Sequence, residues 1–288
     1  MISPCPSCAE VTRPNATVAL LESVETEAWA DLHRAAPPAL AAAEGIHPPH
    51  WVGGALAAVY RRTDVLALNR VIGLGADGEV PTDRLDGLLR LYRSAGVRRF
   101  FVQLAPDAEP TDLPASLTSR GFRLHNRWTK LSRPAGEVPR VRTDLRLERL
   151  PRDKAAAFGD LFAPELDWPR ATSAWLAATV GRARWHHYAA FDGDQVVAAA
   201  ALHLVGDAAW LGFAATHPAH RRRGAQAALL AKRIEAATAA GAKTLVIETG
   251  EDRPDRPIPS FRNVRRAGFE VAYLRDNWVR EFYAAAMV

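Results

Sequence analysis

The 288 residues carry 48% apolar and 24% charged side chains, ordinary proportions for one large or two smaller soluble domains with cores of their own. The formal charge is +5, a mild excess that suits an anionic partner and leaves nucleic acid as the competing explanation. No apolar run approaches the roughly 18 residues of a membrane span and no charged-then-apolar leader opens the chain, so a cytoplasmic protein is expected.

Residues 1–17 are polar and contain proline, and are expected to form a disordered tail. Both cysteines fall there, Cys5 and Cys8, as Cys-Pro-Ser-Cys. Such a pair can be half of a zinc site, with His47 and His50 as partners, or a redox pair. No second pair follows, and incidental cysteines are the favoured reading. Val18–Leu32 has a helical pattern, and a Pro- and Ala-rich stretch, Ala35–His50, comes after it. Trp51–Ala58 and Val65–Leu74 read as strands. Asp83–Ala95 is a helix with Leu85, Leu88, Leu89 and Tyr92 on one face and Asp83 as its N-cap. Arg99–Leu104 is a strand, and Leu113–Arg120 a short helix closing on Gly121-Phe122. Pro134–Arg142, with two prolines and a glycine, reads as a linker.

Beyond it, Arg184–Phe191, the turn Asp192-Gly193-Asp194 and Gln195–Val205 form a hairpin that leads into a strand, Ala208–Thr216. A loop with Arg221, Arg222 and Arg223 follows, closed by Gly224. A helix begins near Gln226, with Leu229, Leu230, Ile234 and Ala237 on one apolar face. From Ala214 to Gln226 there are three arginines and no acid. The first amides of a helix lack intrahelical partners, and the macrodipole adds partial positive charge there. Gly224, without a Cβ, lets the backbone approach a phosphate closely. A solvated charge run is the bland alternative. The loop is not a P-loop, since no Gly-Lys-Ser/Thr closes it, and not a dinucleotide fingerprint, since Gly-x-Gly-x-x-Gly is missing. Lys243–Thr249 is a further strand; then come a Pro-rich loop, the helix Ser260–Ala267, Gly268-Phe269 and a strand pair starting before Asn277.

Arg221-x-x-Gly224 on a strand-to-helix turn resembles the acyl-CoA pyrophosphate loop of the GNAT superfamily of N-acetyltransferases, with Gln226 standing where that family usually has a small residue. The order of elements from about Thr143 to Val288 resembles the family as well. Ser94-Ala95-Gly96 and Gly121-Phe122 bracket a strand and helix just as Ala239-Ala240-Gly241 and Gly268-Phe269 do, at nearly equal separations. The first half thus resembles a second, degenerate copy. Its Gly75–Asp86 segment carries Asp77, Glu79, Asp83 and Asp86 against Arg84, and acids at a helix N-terminus repel phosphate, so no CoA is expected there. The expected architecture is α/β with a mixed α+β sheet: tandem GNAT-like domains at 18–133 and 143–288, joined by the linker 134–142. Each would have a central, mostly antiparallel sheet flanked by helices.

The resemblance implies N-acetyl transfer from acetyl-CoA to an amine by direct attack in a ternary complex, with no metal. It places cofactor contacts at Ala214, Ala215, Thr216, Arg221, Arg222, Arg223, Gly224, Ala225, Gln226 and Asn263. Amides of Ala214–Thr216 would serve a developing oxyanion. The tyrosine that many family members use as an acid corresponds to Val264, leaving Ser260, Tyr273 and Tyr283 as substitutes; capping and packing are their rival readings. A lysine-like amine with a pKa of about 10.4 is neutral only about once in 2,500 molecules at pH 7, so a base is valuable. Glu248, on the strand beside the groove, is the candidate, with a surface carboxylate as the rival reading. Glu165, Asp167 and Trp168 fall where family members form one wall of the acceptor site, and suit a cationic amine or simply connect two helices. His186 and His187 point to opposite faces of one strand, where a satisfied core histidine is the rival to catalysis. The acceptor would be a small-molecule or peptide amine, with neither nucleic acid nor membrane as partner. The alternative function is a non-catalytic acyl-CoA-binding sensor or partner-binding module.

Overall fold

A computed structural model describes residues 17–282, so Cys5, Cys8 and Tyr283 lie outside the described residues, as does nearly all of the expected tail. The first half comprises α1 (Val18–Arg34), α2 (Pro38–Glu44), β1 (His50–Val52), β2 (Ala55–Ala58), β3 (Arg70–Ile72), α3 (Thr82–Ser94), β4 (Arg99–Leu104), α4 (Leu113–Ser119) and β5 (Arg123–Pro134). The second half comprises β6 (Arg146–Arg149), α5 (Ala155–Glu165), α6 (Ala171–Ala177), β7 (Trp185–Asp192), β8 (Gln195–Val205), β9 (Ala208–Thr216), α7 (Ala225–Ala239), β10 (Thr244–Gly250), α8 (Pro259–Arg266) and β11 (Glu270–Glu281).

Three local expectations are corrected. Val65–Leu74 is not one strand: a 3₁₀ turn at Leu66–Leu68 precedes the three residues of β3. The Asn69 side chain takes over backbone partners there, accepting from the Tyr60 N–H and donating to the carbonyls of Tyr60 and Thr63. Neither Asp83 nor Ser260 is an N-cap, because α3 begins at Thr82 after Pro81 and α8 at Pro259. The expected terminal strand pair is one continuous twelve-residue strand, β11.

All strands join one 11-stranded sheet in the order β1-β2-β3-β4-β11-β5-β10-β9-β8-β7-β6. Two neighbouring pairs, β3–β4 and β9–β10, are parallel and the others antiparallel. The centre of this order shows an exchange. The last strand of the first half, β5, pairs with β10 from Thr244↔Pro134 to Gly250↔Trp128, while the last strand of the second half, β11, pairs with β4. β5 and β11 then pair with each other. Each half thus completes the other's sheet.

Alternation along the strands sends side chains to two layers. Leu56, Ile72, Ala199 and Ala201 face a core shared by α1, α5 and α6, which spans both halves. Ala55, Ala57 and Val71 face the opposite layer, where α3 and α4 pack. Farther along that layer lie α7 and α8, over Leu131, Leu211, Leu245 and Ile247.

Where the exchanged strands meet, beneath α1, the sheet buries three cations against three carboxylates. Arg70 Nη2 donates to Glu25 Oε1 at 2.9 Å, and Arg275 Nη1 to Glu22 Oε2 at 2.9 Å. Lys130 Nζ pairs with Glu25 and lies 3.5 Å from Glu248 Oε2, which Arg275 also pairs. Tyr273 donates to Glu22 Oε1 at 2.6 Å. Burial alone would raise the carboxyls of Glu22 and Glu25, but Arg275 and Lys130 outweigh it and hold both below their usual range. Removing one member of so dry a cluster leaves an uncompensated buried charge. Arg275→Met is therefore expected to lower unfolding free energy by about 3–5 kcal/mol in urea titrations. A loss under about 1 kcal/mol would mean that water, and not the ion pairs, satisfies Glu22 and Glu25.

Candidate functional site

The site is organised by a gap in the sheet. The parallel pairing of β9 with β10 covers only Thr244↔Ala208 to Val246↔Trp210. Beyond Trp210 the two strands diverge, so one edge of β9, including Ala214, Ala215 and Thr216, has no strand beside it. On its other side β9 is bulged: Ala199 pairs with Ala215 and Ala201 with Gly212, so Phe213 and Ala214 together oppose Ala200. Phe213 takes φ 46° to make this turn. Its ring is pinned at that angle by edge contacts with Trp29 at 5.6 Å, Phe162 at 5.3 Å and Trp168 at 6.3 Å. A Cβ at Gly212 would run into the Trp210 ring, which folds over it. The His217 N–H donates to the Val197 carbonyl on β8 at 2.8 Å, so by alternation the amides of Ala214 and Thr216 turn to the open edge of β9.

At the end of β9 the chain makes a 3₁₀ turn, Pro218–His220, and enters α7 through Gly224 at φ 80°. A Cβ there would lie 2.5 Å from the Arg142 carbonyl oxygen, so the glycine is required by the chain packed against the loop as well as by its left-handed backbone. Thr143 Oγ1 donates to the Arg223 carbonyl at 2.8 Å on the same side. No acidic residue stands in the first turn of α7, and Ala228 is the first amide to find its helical acceptor, the Gly224 carbonyl at 3.0 Å. The amides of Ala225, Gln226 and the residue after them therefore remain for a ligand. Asn263, from α8, donates to Gln226 Oε1 at 2.5 Å and ties the two helices together beside this opening.

The arginine run is less free than its sequence suggests. Arg221 pairs with Glu165 at the end of α5. Arg223 Nε lies 3.0 Å from Asp144 Oδ2, and its Nη1 pairs with Asp192. Bonding to Arg223 holds both carboxyls below their usual range. Arg222, exposed and at φ 65°, has no ion pair among the described residues. Two of the three guanidiniums therefore brace the loop, and one stands open.

Among the other expected site residues, Trp168 is packed against Trp29, Phe162 and Phe213 at the groove's aromatic wall, and Asp167 is exposed beside it at φ 53°. Glu248 extends from β10 on the α1 side, but its carboxylate is bound by Arg275, Lys130 and Arg70, and its side chain is only 11% exposed. Burial pushes this carboxyl up, against the pull of Arg275. Ser260 is half-buried in the first turn of α8, and Val264 is buried. Tyr273 belongs to the buried charge cluster, with its hydroxyl held far above its ordinary pKa by burial and by Glu22. Sequence reasoning missed Phe213, Trp29 and Arg233. Arg233 interrupts the apolar face of α7, and that interruption was the available signal.

In the first half, β3 and β4 also part, but the segment after β4 packs across their ends. The Glu109 N–H donates to the Gly75 carbonyl at 2.9 Å, the Glu109 carbonyl accepts from Val80, and Ala108 and Leu113 are buried there. Among the described residues no group of three or more His, Cys, Asp or Glu side chains is placed to hold a metal. No helix there is long and apolar enough to cross a membrane.

Three histidines are core residues. His187 Nε2 lies 3.0 Å from Thr179 Oγ1, whose own proton goes to the Leu176 carbonyl; the ring therefore donates. His33 Nδ1 donates to the His47 carbonyl at 2.8 Å, and both ring nitrogens of His203 are buried without partners. Burial pulls their pKa values down to about 3 for His187 and about 4 for His33 and His203. All three are neutral in the fold, whereas an unfolded histidine takes a proton near pH 6.5. Stability is thus full above that pH and declines as pH falls toward 4, each histidine removing about 2 kcal/mol by pH 5. Urea midpoints are expected to fall steeply from pH 7 to pH 5, and His203→Phe to shallow that slope. A flat profile for the unsubstituted protein would contradict the burial.

Residues 149–256 match the family model described as the acetyltransferase (GNAT) family. No curated protein matches the chain. Similar solved structures include a GCN5-related N-acetyltransferase from Kribbella flavida, with TM-score 0.59 and 18% identity over 87% of this chain and 94% of that one. A tandem GNAT protein from the clavulanic acid biosynthesis pathway aligns with TM-score 0.54 and 18% identity, covering 70% of each chain. A GCN5-related N-acetyltransferase from Sphaerobacter thermophilus gives TM-score 0.53 and 16% identity over 74% of this chain and 71% of that one. Residues 149–256 are thus similar to the GNAT family, and the chain shares its fold with a GCN5-related N-acetyltransferase and with a tandem GNAT protein.

Proposed function

We propose that the protein is an N-acetyltransferase that uses acetyl-CoA and acts on a small-molecule or peptide amine, with residues 143–288 holding the working site. In this reading the domain 18–133, with its own groove closed by the segment around Glu109, is structural, and 134–142 joins the two. The carrying observation is the unpaired, bulged edge of β9 running directly into an acid-free helix N-terminus.

Acetyl-CoA supplies the acetyl group as a thioester. In the transfer, a C–N bond forms to the amine, the C–S bond breaks, the amine gives up a proton and CoA leaves as the thiol. The chain's own parts divide the work. Amides at the start of α7, with Arg222 beside them and Gln226 and Asn263 on the flank, suit a diphosphate. The open edge at Ala214–Thr216 suits the amide groups of a pantetheine arm, and the Ala214 amide at the bulge suits the carbonyl oxygen. Trp168 and Asp167 present an aromatic and an acidic group to a cationic acceptor. Glu248 is held by three cations, so proton removal from the amine is assigned to water in the groove rather than to direct contact with this carboxylate.

The alternative, an acyl-CoA-binding sensor without turnover, is favoured by two placements: Val264 is buried where the family's acid stands, and Glu248 is fully ion-paired. Calorimetry with acetyl-CoA, followed by CoA release against a panel of amines, separates the two. Binding with amine-dependent release supports transfer; binding without release from any amine supports the sensor. Arg222→Glu is expected to weaken acetyl-CoA binding about 10- to 100-fold, the range for a lost charge-assisted contact. Unchanged affinity in that variant would remove the loop from the cofactor site.

A further inference from the structure

Arg233 is an unusual residue for its place. It lies on the sheet-facing side of α7, is 1% exposed, and pairs with no carboxylate among the described residues. Its guanidinium is spent on backbone carbonyls instead. Nε donates to the Leu229 carbonyl at 3.2 Å, one turn earlier in its own helix. Nη1 donates to the Ala201 carbonyl at 3.0 Å and to the Gly212 carbonyl at 3.2 Å. Ala201 and Gly212 are the pair at which the β8–β9 ladder resumes beside the bulge.

Carbonyls in a regular ladder point along the sheet to the next strand and are not offered to a helix packed on its face. At this irregular step Arg233 adds a donor to both carbonyls, and a buried carbonyl short of donors is costly. Burial without a counter-charge is costly for the arginine as well, and it pulls the guanidinium's pKa down to about 9. An aliphatic side chain there would fit the apolar face formed by Leu229, Leu230 and Ile234 with no such penalty. The charge is retained where it can fasten the one irregular step in β9.

We propose that Arg233 is a positioning residue: by holding the carbonyls of Ala201 and Gly212, it fixes the bulge so that the Ala214 amide, on the open edge of β9, is aimed at the thioester carbonyl. This rests on the acetyl-CoA reading above. The guanidinium touches neither cofactor nor acceptor; it acts from the opposite face of the sheet, through the backbone. Phe213 is clamped from the other face by its aromatic neighbours, so the bulge is held from both sides.

The test compares two ligands by calorimetry: acetyl-CoA, and S-ethyl-CoA, a thioether that lacks the carbonyl. A correctly aimed amide makes the unsubstituted protein prefer acetyl-CoA by about three- to tenfold, the range for one neutral hydrogen bond. In Arg233→Met that preference is expected to fall to about one, with S-ethyl-CoA binding within about twofold of normal. Arg233→Lys, which keeps a donor able to reach one carbonyl, is expected to retain part of the preference, and serves if the Met variant does not fold. A preference that survives intact in either folded variant overturns the proposal, as does its absence in the unsubstituted protein. Failure of both ligands to bind the unsubstituted protein would instead overturn the acetyl-CoA reading itself.

Discussion

The buried charge cluster under α1 is the constraint from which the rest of the architecture follows. Glu22 and Glu25 descend from a helix of the first half, Arg70 and Lys130 rise from its strands, and Glu248 and Arg275 come from the second half. Each carboxylate would be severely penalised for leaving water alone. Only when β5 and β11 lie side by side do Lys130 and Arg275 stand together beneath both acids. An apolar centre would have tolerated several strand orders, whereas this one is satisfied by a single pairing. We read the cluster as the feature that enforces the exchange, at a cost in desolvation that its mutual hydrogen bonds must offset. Gln103, Asn277 and Asn126 extend the same logic outward, each bonding the next across β4, β11 and β5 at 2.6 and 2.7 Å.

The exchange in turn makes the groove. β10 is held along its whole length by β5, a strand of the first half, but by β9 over only three residues. One wall of the second half's groove is therefore fastened to the other half of the molecule, and the second wall is free to diverge. Glu248 lies on the fastened wall and is pulled toward α1 by its cations. The same contacts that anchor β10 thus withdraw this carboxylate from direct proton transfer.

How much of this could be read from the sequence depends on how local the deciding interaction is. The hairpin of β7 and β8, the helix α7 and the glycine at its entrance each follow from residues close together in the chain, and the structure has them where alternation, periodicity and turn chemistry place them. Even there, Gly224 answers a second demand that only the fold reveals, the approach of the Arg142 carbonyl. The strand exchange was not legible, because the hydrophobic pattern of β11 says that it is a strand and not which neighbours it has. The same limit applies to Glu248 and Arg221, whose partners lie far away in the sequence at Arg275, Arg70 and Glu165. Arg233 was visible as a misfit on an apolar face, but its acceptors are backbone atoms, which carry no mark in a sequence.

The two halves differ most at one helix end. Both α3 and α7 follow a strand that parts from its parallel neighbour, and both begin with their first amides unpaired. In α3 the first turn contains Asp83, which meets the helix's own positive end, and the Glu109 segment occupies the parting of the strands. In α7 the first turn has no acid, and the acids near the loop, Glu165, Asp144 and Asp192, are engaged with Arg221 and Arg223 instead of the amides. The resting loop is therefore close to neutral in its side chains, and its pull on an anion comes chiefly from the backbone. Backbone donors are fixed in direction and need no rearrangement when a ligand arrives, whereas a run of three free arginines would repel itself and bind anions of any shape. Pairing two of the arginines gives up long-range attraction in return for a loop whose donors keep a fixed geometry.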